Sequence, residues 1–378
     1  MIANKIKRLV VKKDETIANA FWKFNKERKL SLVVDDEDKF LGVVGNTEYE
    51  YAKKMMAADE KIETLCNKHC KVIDCESDID VYMAARNIYA DYNLKYIPVI
   101  NKHHDIIDLF SPERAFYKNY FTEGKLERMH YAVCIWAAAQ EAKRLGHDAV
   151  SVIEFGVAGG NGLLEAQMHA REISRLLGIH IEVYGFDIGT GLPVIENAVE
   201  NMGNIFKSGL FKMDQELLSM QLEDRTHLVL GNIEDTIRDF MEKYNAPVVG
   251  ALFVDVDLYS STKPILSWLE QKDEYFLPRV FMYFDDISAL QEGMGEEKAI
   301  IEFNQTNNGR IRISPERVSD NIDWIGNGYL VKTSWLYDGK YAYAKARLKI
   351  CHRYEHKDYI KWSYNEELEN KIEMNYRL

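Results

Sequence analysis

Proline and cysteine are both scarce in this chain, at 7 and 5 of 378 residues. With so few prolines, and no stretch rich in Pro, Gly or Ser, a flexible linker of that composition and low-complexity segments are excluded. Cys66, Cys70, Cys75, Cys134 and Cys351 are odd in number and match no zinc spacing. They are expected to be reduced thiols rather than a disulfide framework or a zinc module. No apolar run reaches the length of a membrane span. The opening MIANKIKRLVVKKDE carries charge but no apolar core and no cleavage site, unlike a signal peptide. A cytoplasmic protein is the expectation from these absences. Net positive charge is missing too: the formal charge is −12, so the chain as a whole should not bind nucleic acid non-specifically. Lys345, Arg347, Lys349, His352 and Arg353 form a local basic cluster all the same.

What is present is ample core material. Hydrophobic residues make up 47% and charged residues 29% of a chain long enough for two domains. Residues 1–112 carry a weak internal duplication. A helical pattern opens at Thr16 and runs to about Lys29; LSLVVDD (30–36) and KFLGVVG (39–45) read as strands around an acidic turn, and a helix follows through Met56. The second half repeats this order. VIDCESDI (72–79) precedes a helix to about Tyr92, and KYIPVI (95–100) and HDIIDLF (104–110) read as strands. The LVVDDEDKFLGVV hairpin and IPVINKHHDIIDLF resemble a pair of cystathionine-β-synthase (CBS) modules. That resemblance implies a regulatory or scaffolding role with an adenine nucleotide as partner. The family's ribose-binding Thr-x-x-Asp is poorly kept, since Gly45 and Glu48 stand in its places. A docking domain without a ligand is the plainer alternative.

Residues 113–147 read as a helical connector. Tyr131, Cys134, Ile135, Ala138 and Ala142 form a single buried stripe, and Gly146 stands where a C-terminal cap is expected. From 148 to 337 the pattern becomes strand, glycine-rich turn, helix, strand, acidic residue, repeated as βα units. This predicts an α/β domain with a doubly wound parallel sheet. AVSVIEFGV (149–157) is a buried strand ending in Gly156-Val157-Ala158-Gly159-Gly160-Asn161-Gly162. Glycines there allow a tight turn and close approach of a ligand to the main chain. Alone, such a turn fits a dinucleotide site, a methyl-donor site or merely a tight turn. Asp187 ends the next strand, where a carboxylate can accept from ribose hydroxyls; the alternative is a solvated or capping Asp. THLVLGN (226–232) is followed by Asp235, a natural N-cap.

Two further strands end in acid: VVGALFVDVDLYSST (248–262) in Asp255-Val256-Asp257, and PRVFMYFDDIS (278–288) in Asp285-Asp286. Their separation is one βαβ unit, which brings both pairs to one carboxyl edge. Like charge gathered there is costly without a cation. Hard carboxylate oxygens favour Mg²⁺, Mn²⁺ or Ca²⁺. Asp255, Asp285 and Asp286 are the expected metal ligands. Asp257 is a fourth participant, expected by strand alternation to point the same way as Asp255. The alternative is a set of caps and loop charges.

Glu154 inside the first strand, two residues before Gly156, resembles the first motif of class I methyltransferases, E/D-x-G-x-G-x-G. Taken with FDIGTGLP, LVLGNIEDTI, FVDVDLYSSTKPIL and YFDDIS, the run over about 150–305 resembles the macrocin O-methyltransferase family. The resemblance implies a Rossmann-like methyltransferase domain using S-adenosylmethionine and Mg²⁺. It also implies methylation of a hydroxyl on a sugar, glycan or sugar-containing natural product. Carried over by motif, Glu154, Phe155, Gly156, Val157, Ala158, Gly159, Asp187, Asn232, Ile233, Glu234 and Asp235 would line the donor site. Asp255 and Asp257 would serve as catalytic carboxylates, one of them taking the hydroxyl proton. Ile188-Gly189-Thr190 departs from the family's Ser-Phe-Glu, and a CBS-like portion is not part of its usual architecture. Two other classes stay open: an NAD-dependent oxidoreductase on a similar sheet, and a non-catalytic sensor of adenine nucleotides. Gly293-Met294-Gly295, within a loop over 288–310, is expected to form a lid or a plain surface loop. Residues 311–337 should supply antiparallel strands. The aromatic and basic tail, 338–378, would shape the acceptor site, or pack on the core or on a partner subunit of a homo-oligomer.

Overall fold

The computed structural model describes residues 4–23, 30–75, 80–192, 209–287, 295–314 and 347–359. It divides into two units, Met1–Tyr117 and Lys118–Leu378. In the first unit, a 3-10 helix (Asn4–Leu9) leads into β1 (Val10–Lys12), α1 (Ile17–Lys23), β2 (Leu30–Val34), β3 (Phe40–Gly45) and α2 (Asn46–Lys54). The second half repeats that order with β4 (Ile73–Asp74), α3 (Val81–Asp91), β5 (Ile97–Ile100), β6 (Ile106–Phe110) and α4 (Pro112–Ala115). In each three-stranded sheet the first pair is parallel and the second antiparallel.

Even the hairpin turns match. Asp35 Oδ1 accepts from the amides of Glu37 and Lys39, and Asn101 Oδ1 from those of His103 and Asp105. Short polar side chains that bond their own backbone two and four residues on make such turns. The duplication read from sequence is therefore a duplication of structure. The leading strands β1 and β4 were not visible in the pattern because they span only three and two residues.

The second unit begins with α5 (Tyr117–Thr122) and α6 (Met129–Leu145). Then come β7 (Ala149–Phe155), α7 (Asn161–Leu177), β8 (His180–Asp187), α8 (Gln215–Ser219), β9 (Thr226–Leu230), α9 (Ile233–Thr236) and α10 (Phe240–Tyr244). The chain continues through β10 (Val249–Val254), α11 (Tyr259–Trp268), β11 (Phe276–Phe284), α12 (Gly295–Thr306), β12 (Ile311–Ser314) and β13 (Leu348–Arg353). The seven-stranded sheet runs β12-β13-β11-β10-β7-β8-β9. The strands β9, β8, β7, β10 and β11 are parallel, while β13 is antiparallel to both of its neighbours.

This is a doubly wound, Rossmann-like α/β sheet. From β7 the chain winds outward to β9, then returns to β10 and winds the other way. The reversal leaves a crevice at the carboxyl ends of β7 and β10, where ligands bind in such sheets. Strands β10 and β11 are buried along their whole length. Covered on both faces, they read as continuous apolar runs rather than alternating ones.

Three sequence expectations change here. Within the helical stretch over 113–147, α6 packs against α7, β7, β10 and β11. Being covered by both helix and sheet, α6 buries far more than one stripe: Val133, Trp136, Ala137 and Ala139 are buried as well. Gly146 does cap it, with φ +87° and its amide bonded to Ala142 and Lys143 carbonyls. Part of the tail, Leu348–Arg353, lies inside the sheet as β13, between β11 and β12. Its Leu-x-Ile-Cys core is interleaved with the basic residues that suggested a surface cluster. Finally, 295–306 is a helix rather than a loop. The rest of the expected lid, 288–294, and of the strands expected over 311–337, 315–337, lie outside the described residues.

Candidate functional site

The glycine turn sits flush against the end of β10. Gly156 has φ +90°, and a Cβ there would lie 1.7 Å from the Asp255 carbonyl oxygen. Only glycine fits such a backbone and such an approach. The amides of Val157 and Ala158 both donate to Asp187 Oδ2 at 2.9 Å, and Gly189 donates to Oδ1 at 2.6 Å. Asp187 thus ties together the turns that follow β7 and β8, a job the sequence reading did not assign to it.

Glu154 is 2% exposed in the middle of this framework. Tyr131 donates to its Oε1 at 2.7 Å, while Oε2 has no partner. Burial, reinforced by the charges of Asp255 and Asp187 and opposed by the Tyr131 bond and Arg128, pushes its pKa up to about 8. A Cβ on Gly162 would meet Oε1 at 1.8 Å. The carboxyl therefore lies directly under the first turn of α7, and a glycine is required above it.

A cavity of about 490 Å³ opens at the switch point. Of the expected donor-site residues, Gly156, Ala158, Asp187, Asn232, Ile233 and Glu234 line it; Glu154, Phe155, Val157, Gly159 and Asp235 do not. Asp255 and Asp257 also reach it. The sequence reading missed Leu192, Phe211, Ser260, Ser261 and Pro264 in the wall. The last three lie in the YSSTKP run that opens α11, and a helix start next to an acidic strand end was the available signal. Phe211 carries no local signal. Asp235 is not the N-cap either: Asn232 Oδ1 accepts from the Glu234 amide at 2.9 Å, leaving Asp235 inside the first turn of α9.

Beside the cavity, carboxylate oxygens of Asp255, Asp285 and Asp286 lie within 4.8 Å of one another. Asp285 Oδ1 accepts from the Tyr283 hydroxyl at 2.8 Å and from Arg347 at 2.9 Å. Asp286 Oδ2 is buried with no donor. Burial first, then the charges of Asp285, Asp286 and Asp257, pushes Asp255 up to about 7. Asp257 is likewise raised to about 7, by burial and then by Asp286 and Asp285. The alternation argument for Asp257 does not hold, because β10 ends at Val254 and Asp257 has a left-handed backbone with φ 59°. It nonetheless reaches Asp286, which it can hydrogen-bond only if a proton is held between the two.

Glu296, fully buried on α12, accepts from the Asp286 amide at 3.0 Å and the Val256 amide at 3.5 Å. Its pKa is pushed up by burial and by Asp286. In the sequence it stands in GEEKAI, which reads as a solvated helix start. The buried, donorless Oδ2 and the all-oxygen, like-charged donor set fit a hard divalent cation.

In the first unit, Glu48 stands where the nucleotide-binding pattern would place its acid. Its carboxylate accepts from the Gly45 amide at 2.9 Å, within the N-terminal turn of α2. Among the described residues no helix is long and apolar enough to cross a membrane.

No curated protein sequence matches the chain. Among solved structures it is similar to the calicheamicin methyltransferase CalS11, with 18% identity over 65% of this chain and 92% of that one, at a TM-score of 0.37. It is similar to the O-methyltransferase NovP at 17% identity, over 52% of this chain and 83% of that one, with a TM-score of 0.38. OpuCA of Staphylococcus aureus is similar at 17% identity, over 32% of this chain and 97% of that one, with a TM-score of 0.27. The strand order, rather than these low scores, carries the fold of the second unit. Residues 5–48 match the family model described as CBS domain. The chain carries a CBS domain at its N-terminus, followed in sequence by a large, mostly parallel Rossmann-like sheet.

Proposed function

We propose that the second unit is an S-adenosylmethionine-dependent O-methyltransferase, assisted by a divalent cation and acting on a hydroxyl of a sugar or sugar-containing compound. The observation that carries this reading is the adjacency of two sites. A nucleoside-sized cavity under a glycine turn shares Asp255 with a cluster of three carboxylates. The sheet order and the macrocin-type motifs agree with it.

S-adenosylmethionine supplies an electrophilic methyl group, and the cation lowers the pKa of a bound hydroxyl. Asp255, Asp285 and Asp286 would hold the cation. Ile188 and Ile233, on opposite turns of the cavity, offer apolar walls for a flat base, with Asn232 and Glu234 at its edge. Asp187 fixes the turns after β7 and β8, so the donor pocket is formed before any ligand arrives. Asp255 or Asp257, both of which reach the cavity, would take the proton from the acceptor hydroxyl. Arg347 and Tyr283 both donate to Asp285 Oδ1 and hold that carboxylate in place.

The test is equilibrium dialysis with S-adenosylmethionine and NAD, followed by labelled-methyl transfer to a panel of glycans. One methyl donor bound per chain and transfer abolished by EDTA are expected. Binding of NAD in place of the methyl donor, or transfer indifferent to EDTA and to Asp285→Ala, would overturn it.

A further inference from the structure

Glu296, the second residue of α12, sits beneath the ends of β10 and β11 with none of its surface exposed. Its two oxygens go to two different strand ends. Oε1 accepts from the Val256 amide at 3.5 Å, and Oε2 from the Asp286 amide at 3.0 Å. Among the described residues these amides are its partners, and no basic side chain pairs with it. A carboxyl buried beside Asp286 and Asp255 costs stability, which hydrogen bonds to two amides only partly offset.

The strand register shows what those two bonds do. Val254 pairs with Phe284, and the Val254 carbonyl accepts from the Asp285 amide at 2.9 Å. One rung further, a parallel ladder would take the Val256 amide to the Asp285 carbonyl. That amide goes to Glu296 instead. Strands β10 and β11 accordingly stop at Val254 and Phe284, each one residue before its pair of acids. The base of this brace is fixed, because Ala299, Ile300 and Phe303 of α12 lie in the same core as Val254, Val256 and Phe284. Asp255 immediately precedes Val256, and Asp286 is held by its own amide. One side chain of α12 therefore sets the backbone of two of the three clustered carboxylates.

We infer that Glu296 is a positioning residue for the cation, which fixes the chain at Asp255 and Asp286 so that their carboxylates converge before an ion arrives. This rests on the divalent-cation part of the proposed function. The task calls for a carboxylate, which can accept from both amides at once. A glutamine keeps one acceptor oxygen but turns its NH₂ toward the other amide, and an aspartate keeps the charge but is one methylene short. Groups that orient metal ligands in this way govern ion affinity by about 10–100-fold.

Two measurements on the full chain test the inference. Hydrogen exchange in the metal-free wild type should find the Val256 and Asp286 amides already protected, with little further change on adding Mg²⁺. Mn²⁺ titration followed by electron paramagnetic resonance should show affinity lower by about 10–100-fold in both Glu296→Gln and Glu296→Asp, with the number of sites unchanged. The ion that still binds should show an altered zero-field splitting, which a loss of overall stability would not produce. Fast exchange of both amides in the metal-free wild type overturns the inference, and needs no variant to fold. Wild-type affinity in Glu296→Gln overturns it as well, and wild-type affinity in Glu296→Asp would make the effect one of charge rather than position. An ion held equally by wild type and Glu296→Gln removes only the role of Glu296, whereas no ion in the wild type removes the divalent-cation reading and this one with it.

Discussion

Two regions of the same layer treat buried acid in opposite ways. Near the start of β11, Glu141 of α6 is fully buried, but it accepts from Arg279 Nε at 2.8 Å and from the Arg279 amide. That is a charge closed on itself. At the other end of β11, Asp286 and Asp255, with Glu296 beneath, gather like charge with no comparable cation among them. Arg347 pairs with Asp285, and its charge also reaches Asp286. A fold that pairs its acid at one end of a strand and leaves it gathered at the other is built to receive something at the second end.

The largest expected effect separates the two ends by sign. Glu141→Ala strands a buried arginine and should cost about 3–5 kcal/mol in urea unfolding. Asp286→Asn in metal-free buffer at pH 7.5 should not destabilise the protein, because it relieves repulsion. Destabilisation of the same size by both would erase the contrast.

The pH dependence sharpens it further. Asp255 and Asp257 are raised from an ordinary 3.8 to about 7 in the fold. Between those values the folded chain binds more protons than the unfolded one. Their contribution is complete below pH 3.8 and is lost as pH rises through 7. Metal-free protein should therefore melt at a lower temperature at pH 7.5 than at pH 6. Mg²⁺ should restore the midpoint at pH 7.5 and do less at pH 6, where protons occupy the same oxygens. Differential scanning fluorimetry reads all four conditions, and a Mg²⁺ effect larger at pH 6 would contradict the account.

The smallest effect concerns the framework. Tyr131→Phe keeps the stack on Phe253 and removes one hydrogen bond to Glu154, for a loss of about 1 kcal/mol. Donor affinity should fall with it in equilibrium dialysis, whereas the Glu141–Arg279 end is untouched.

Legibility in the sequence followed the range of the interaction. The glycine turn, the acidic strand ends and the βα alternation are local patterns, and each stands where a βαβ repeat puts it. The hairpins of the first unit were legible because Asp35 and Asn101 organise their own turns. What stayed hidden depends on distant partners. Glu296 becomes a buried member of the site only because α12 returns under β10 and β11. Leu348–Arg353 reads as basic tail, yet it completes the sheet because β11 offers it an edge. Tyr131 looks like one more core residue until its hydroxyl meets Glu154, 23 residues along the chain. Asp257 misled for the opposite reason: strand alternation was carried past the point where the strand ends.

The measurement closest to the central claim is an Mn²⁺ titration of the full chain followed by electron paramagnetic resonance. The account predicts one tightly held ion per chain, lost in Asp286→Asn and retained in Glu141→Gln. No stoichiometric ion, or an ion kept in Asp286→Asn, would contradict it.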